Sequence, residues 1–266
     1  MAILYDVKVY VSGNVIEIYR YSETRSIGYS RAEKSVKQEG KRIIDFETGE
    51  IITEDGTKLD SRGRSNIRAR NNIRRLTLQN FNKGSKFMTL TFKENLQDLT
   101  EANKCFKAFI RLVNKELHKK GQEKLKYVAV VEFQKRGAIH YHVMCDLSGY
   151  SAKKLWEQWF NATGEYGGGV DIKKVHHIDN VGAYIIKYLE KDLKKVDERL
   201  LGKKVYQTSQ GLDKPKEFGL SFRKEKDQQI YNDLLKGKKI TYQSRYEDKH
   251  TGGTVDYLEI NLARQA

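Results

Sequence analysis

Residues 126–147 read KYVAVVEFQKRGAIHYHVMCDL. Two apolar runs flank Lys135-Arg136-Gly137, which suits a three-residue hairpin loop with glycine in the left-handed position. Such a loop pairs Gln134 with Ala138, and therefore Glu132 with His140. Side chains alternate along a strand, so His140 and His142 share one face with Met144, while Ile139, Tyr141 and Val143 take the other. The hairpin then sets Glu132 on the neighbouring strand, on the face of both histidines. Two readings of this trio are open. It is a buried polar cluster, or two neutral nitrogens and a carboxylate that hold a divalent ion such as manganese or magnesium. Zinc fits the same ligand types.

Outward from the hairpin, elements alternate. FMTLTF (87–92) alternates as a strand, with Phe87, Thr89 and Thr91 on one face and Met88, Leu90 and Phe92 on the other. Residues 99–120 form a helix with Phe106, Phe109, Ile110, Val113 and Leu117 as its buried stripe and Thr100 as a cap. A further helix over 151–162, a strand in GGGVDIKKVHH and a helix over 179–194 capped by Asp179 complete the run. His176 and His177 are neighbours, point apart on a strand, and read as surface or loop. The order strand–helix–strand–strand–helix–strand–helix predicts an α+β fold, a central antiparallel β-sheet flanked by helices.

The flanks are β-rich. A hairpin is expected around Ser12-Gly13-Asn14, turns at Thr48-Gly49 and Asp55-Gly56, and another hairpin around Thr251-Gly252-Gly253. The expected division is a β-rich segment over 1–62, a central domain over 63–222, and a C-terminal helix and hairpin over 223–266.

With 50 Lys and Arg against 35 Asp and Glu, the 266-residue chain carries a net charge of +15. A protein this basic is expected to meet a polyanion, by default nucleic acid. Residues 64–80 form a basic helix started by Ser65. Its Arg64, Arg68, Arg70, Arg74 and Arg75 are candidate DNA contacts, joined by Lys191 further along. Cys105 and Cys145 stand in separate apolar contexts, which fits reduced thiols in a cytoplasm. No stretch reads as a signal peptide or a membrane span. The pattern GxxxxGK[ST] is missing, so no ATP-driven motor is expected.

The second chemical motif is AYIIKYLEKD (183–192). On a helix, Tyr184, Lys187, Tyr188 and Lys191 share a face, and Ile185, Ile186 and Leu189 oppose them. The tyrosines either cover a sheet edge or serve as nucleophiles, since a neighbouring ammonium favours the phenolate and can also hold a phosphate oxygen.

Together, Glu132, HYH at 140–142 and YIIKY at 184–188 resemble the HUH endonucleases. Within them they resemble the rolling-circle replication initiators of small phages and plasmids, in the form with two tyrosines. FMTLTF is similar to the first motif of that family, HYH to the second and YIIKY to the third; the likeness spans about 64–222. It implies an RRM-like sheet with the histidines on a middle strand. It also implies metal-dependent nicking and rejoining of single-stranded DNA at a replication origin, usually with a hairpin. Tyr184 would be joined to the 5′ phosphate, Lys187 would assist, and Tyr188 would be the second nucleophile. Glu132, His140 and His142 would hold Mn2+ or Mg2+. A host helicase and a DNA polymerase would be the partners, in the cytoplasm of the host cell, with no membrane. A transposase or mobilisation relaxase of the same superfamily, or a non-catalytic protein that binds single-stranded nucleic acid, are the alternatives.

Overall fold

The computed structural model describes residues 3–27, 43–44, 51–52, 59–147, 149–193, 204, 206–248 and 252–265, with the backbone alone described at 43–44, 51–52, 59–66 and 189–193. The turns expected at 48–49 and 55–56 lie outside the described residues. In chain order the elements are β1 (Ile3–Ser12), β2 (Val15–Ile27), β3 (Ile43–Ile44), β4 (Ile51–Ile52), α1 (Leu59–Asn80), β5 (Lys86–Thr91) and α2 (Leu99–Lys119). There follow β6 (Tyr127–Phe133), β7 (Ile139–Cys145), α3 (Ala152–Thr163), β8 (Gly169–Lys174) and α4 (Val181–Leu193). The last are β9 (Tyr206–Thr208), β10 (Lys216–Leu220), α5 (Glu225–Leu235), β11 (Tyr242–Glu247) and β12 (Thr254–Asn261).

The chain divides into two compact units, Arg68–Lys214 on one side and Met1–Ile67 with Pro215–Ala266 on the other. This differs from the division expected at 62 and 222. The two terminal segments share one five-stranded sheet, in the order β10-β1-β2-β12-β11. Strand pairing over more than two hundred residues of sequence leaves no local signal. One face of that sheet buries Val7, Val9, Ile16, Ile18, Leu220 and Ile260, with Ile230, Leu234 and Leu235 of α5 packed on them.

In the unit Arg68–Lys214 the sheet order is β8-β5-β7-β6-β9, and every pairing is antiparallel. β7 lies in the middle, and all seven of its residues are buried. Its Tyr141 stacks on Phe106 of α2, with ring centroids 4.6 Å apart. Phe109 meets Trp159 of α3 edge-on at 5.5 Å, and the indole donates to the Thr91 carbonyl at 2.8 Å. Each such buried aromatic ring contributes about 1.5–3 kcal/mol. Thus α2 and α3 cover one face of the sheet through the apolar half of the alternation.

The helix starts are corrected in detail. Asp98, not Thr100, caps α2: its carboxylate accepts from the Thr100 N–H at 2.6 Å and the Glu101 N–H at 3.4 Å. A carboxylate at that position both fills orphan donors and complements the helix dipole. At α4 the Asn180 side chain accepts from the Ala183 N–H at 2.8 Å, one residue beyond the Asp179 expected. α1 begins at Leu59, a turn and a half before the Ser65 start.

Candidate active site

The β6–β7 hairpin has the register that its turn predicts. Gly137 has φ of +84°, the Gln134 N–H donates to the Ala138 carbonyl at 2.9 Å, and Glu132 stands opposite His140. A Cβ at Gly137 would stand 2.8 Å from the Gln97 amide oxygen, so both space and backbone angle favour glycine. On the next strand over, Thr89 is opposite His142 and Thr91 opposite His140. One face of the sheet therefore carries Thr89, Thr91, both histidines and Glu132.

Both histidines are buried. The Nε2 of His142 lies 2.6 Å from a carboxylate oxygen of Glu132, and its Nδ1 lies 3.3 Å from the Thr89 hydroxyl. The Nδ1 of His140 lies 3.1 Å from the Gln134 side-chain amide. Burial, with the neighbouring His142, holds the His140 imidazole below its usual pKa against the pull of Glu132. His140 is thus neutral at pH 7, with a lone pair to offer. As the side chains stand, Glu132 closes directly on His142. Among the described residues no group of three or more His, Cys, Asp and Glu side chains converges as a metal-holding cluster.

α4 brings its tyrosines to this same face. The Tyr188 ring stacks on His142, with centroids 3.9 Å apart and planes 27° from parallel. Phe87 lies under both phenols, 5.2 Å from Tyr188 and 4.8 Å from Tyr184. The two tyrosine rings are 6.0 Å apart. The Lys187 ammonium lies 4.0 Å from the Tyr184 ring centroid and 5.1 Å from that of Tyr188. Burial, a hydrogen bond to Tyr184, and the negative charges nearby raise the Tyr188 phenol above its usual pKa. Ile185 and Ile186 are buried and anchor the helix.

The arginine assignments need correction. Arg74 and Arg75 are buried, because this part of α1 packs inside the unit, and their side chains are not presented to a ligand as an exposed row. Arg68 is exposed and Arg70 half-buried. The side chains of Arg64 and Lys191 lie outside the described residues. His176 and His177 sit exposed in a turn, edge to face, as expected.

Three further residues on this face were not singled out from the sequence. Phe87 wedges between His142 and the tyrosines. Gln134 touches His140. Asp171 of β8, opposite Thr89, comes from the far edge of the sheet and is ion-paired to Lys173 at 3.1 Å. The alternation of FMTLTF marks the face of Phe87, but which strand lies beside it has no local signal.

No curated protein and no solved structure was found to match the chain. Residues 85–193, the span from β5 through α4 that carries all six candidate site residues, match the family described as Replication-associated protein ORF2, and this segment is a replication-associated domain consistent with a rolling-circle initiator Rep protein.

Proposed function

We propose that the unit Arg68–Lys214 is a nicking and rejoining endonuclease acting on single-stranded DNA at a replication origin. The observation that carries this reading is the contact of the tyrosine helix with the histidine face, Tyr188 on His142 with Tyr184 one ring away. An amphipathic helix that merely covered a sheet edge would have no need to seat two phenols and an ammonium there.

The electrostatics agree. Residues 68–214 hold 29 Lys and Arg against 16 Asp and Glu, so nearly all of the net +15 falls in this unit. Positive charge at that density draws a polyanion and opposes the repulsion between a phosphodiester and a phenolate. Glu132, His140 and His142 fit a divalent ion by donor type. The Nε2 of His140 is left without a hydrogen-bond partner among the described residues, and one carboxylate stands beside both rings. When bound, a divalent ion held by these three residues supplies positive charge to orient and neutralise phosphate oxygens.

The protein's own groups supply the rest. The Tyr184 oxygen forms a bond to the scissile phosphorus, the bond from phosphorus to the 3′ oxygen breaks, and that oxygen leaves with a proton as a 3′ hydroxyl. Lys187, closer to Tyr184 than to Tyr188, favours the phenolate and holds a phosphate oxygen. Tyr188, whose phenol is held protonated more firmly, acts second, cleaving the regenerated origin so that the strand is rejoined. The tyrosyl phosphate conserves the energy of the diester, so resealing needs no ATP. The freed 3′ hydroxyl is a primer for a host polymerase, and a host helicase would open the duplex in the cytoplasm of the host cell.

The test mixes the protein with labelled single-stranded DNA from its own replicon, which includes the origin and its hairpin, and Mn2+ or Mg2+. A protein–DNA adduct that survives denaturant supports the reading. Binding without any adduct shows a non-catalytic single-strand binder instead.

A further inference from the structure

Each imidazole of the site is held at Nδ1 by a neutral side chain, Thr89 at 3.3 Å from His142 and Gln134 at 3.1 Å from His140. Neither partner is a carboxylate, and neither was marked by any motif. A hydroxyl and a primary amide have a property that a carboxylate or an ammonium lacks: each can donate to a ring nitrogen or accept from it. In the arrangement seen, the Nε2 of His142 faces Glu132 at 2.6 Å, so the ring gives its proton to the carboxylate from Nε2 and accepts from the Thr89 hydroxyl at Nδ1. For Nε2 to serve a cation, the proton must stand on Nδ1 instead.

We propose that Thr89 and Gln134 are positioning residues that aim the Nε2 edges of His142 and His140 at one shared cation, and that they permit the change of tautomer on loading by reversing their hydrogen-bond roles. This rests on the reading of Glu132, His140 and His142 as a cation site. When the cation takes Nε2 of His142, that nitrogen gives up its proton to solvent and Nδ1 takes one from solvent. The ring stays neutral throughout. The Thr89 oxygen, previously the donor, becomes the acceptor. At His140 the Gln134 amide does the same by presenting its oxygen in place of its NH2.

The choice of neutral partners also sets affinity. A carboxylate behind a ligating histidine raises the basicity of the ring and tightens the metal, and removal of such outer partners typically costs about 10–100-fold in affinity. A hydroxyl and an amide orient the ring without that added pull, which suits an ion that exchanges. Gln134→Glu should therefore bind a divalent ion more tightly than the wild type.

The experiment uses the full chain labelled with 15N-histidine and titrated with Mg2+, which is diamagnetic, alongside calorimetry with Mn2+. The expected result is that His142 moves from the Nε2–H to the Nδ1–H tautomer on adding Mg2+. Thr89→Val and Gln134→Leu should each weaken Mn2+ about 10-fold or more, with Thr89→Ser restoring it and Gln134→Glu tightening it. A wild type that binds Mn2+ only with both histidines present, yet shows no tautomer change and no response to the four variants, overturns this inference alone. A wild type whose Mn2+ binding survives His140→Ala with His142→Ala overturns the cation site and the inference with it. Should Thr89→Val fail to fold, the tautomer measurement on the wild type decides.

Discussion

The Tyr188 ring lies on the imidazole of His142, with centroids 3.9 Å apart and planes 27° from parallel. Their positions are 46 apart in sequence, and the contact joins a helix to the central strand of the sheet. It makes the phenols and the histidine face a single site.

That contact makes the tyrosines separable by experiment. Tyr184→Phe should remove the covalent adduct on a fresh origin strand, by about a hundredfold or more if the phenol is the nucleophile. Tyr188→Phe should spare the first cleavage and reduce strand rejoining. The double variant should form no adduct with intact DNA binding, as read by denaturing gels and by fluorescence anisotropy. Adduct formed at full yield by Tyr184→Phe would reverse the order of the two.

Lys187→Met should lower the rate of cleavage by about 10–1000-fold, within the range for loss of one group that stabilises charge in a transition state. Binding of the same DNA should change little, because a single cation of the many in this unit is lost. Single-turnover rates against dissociation constants measure the split.

Gly182 stands at the crossing of α1 and α4. A Cβ there would be 2.6 Å from the Arg74 carbonyl oxygen and 2.8 Å from the Leu78 side chain. Gly182→Ala must push α4 away, at a cost of about 1–3 kcal/mol. The expected fall in melting temperature is several degrees. Because Tyr184 is two residues on, adduct yield should fall as well, measured below the new midpoint.

Asp6 tests the other unit. Burial alone would raise its carboxyl, but hydrogen bonds from the Thr24 hydroxyl, the Phe222 N–H and the Ser221 hydroxyl, with the charge of Arg223, hold it below the usual range. A depressed carboxyl contributes stability that is present above its unfolded pKa and lost as pH falls through the folded value. Hydrogen exchange of the β1 and β10 amides should quicken between about pH 4 and pH 2. In Asp6→Asn it should be faster at neutral pH, by about 1–2 kcal/mol, and lose that acid step.

Cys145 is fully buried, and burial pushes its thiol up to about 12. The thiolate is the reactive form, so at pH 8 an alkylating reagent should leave Cys145 unmodified in the native protein and modify it after denaturation. Mass spectrometry of the digested protein reads this directly.

Sequence alone determined the local relationships of this protein. The turn at Lys135-Arg136-Gly137 set the hairpin register, and with it the placing of Glu132 opposite His140, because the pairing depends only on loop length and the twofold period of strands. The helical period likewise joined Tyr184, Lys187 and Tyr188, and the element order of the central sheet followed from alternating patterns. Only the tertiary structure decided what lies far apart in sequence. Arg74 and Arg75 read as a cationic surface but are buried. β12 at the C-terminal end pairs with β2, near the start of the chain. Phe87, Thr89 and Gln134 gather around the histidines. Such contacts are chosen by packing across a whole face, and no period within a single segment encodes which face it will meet.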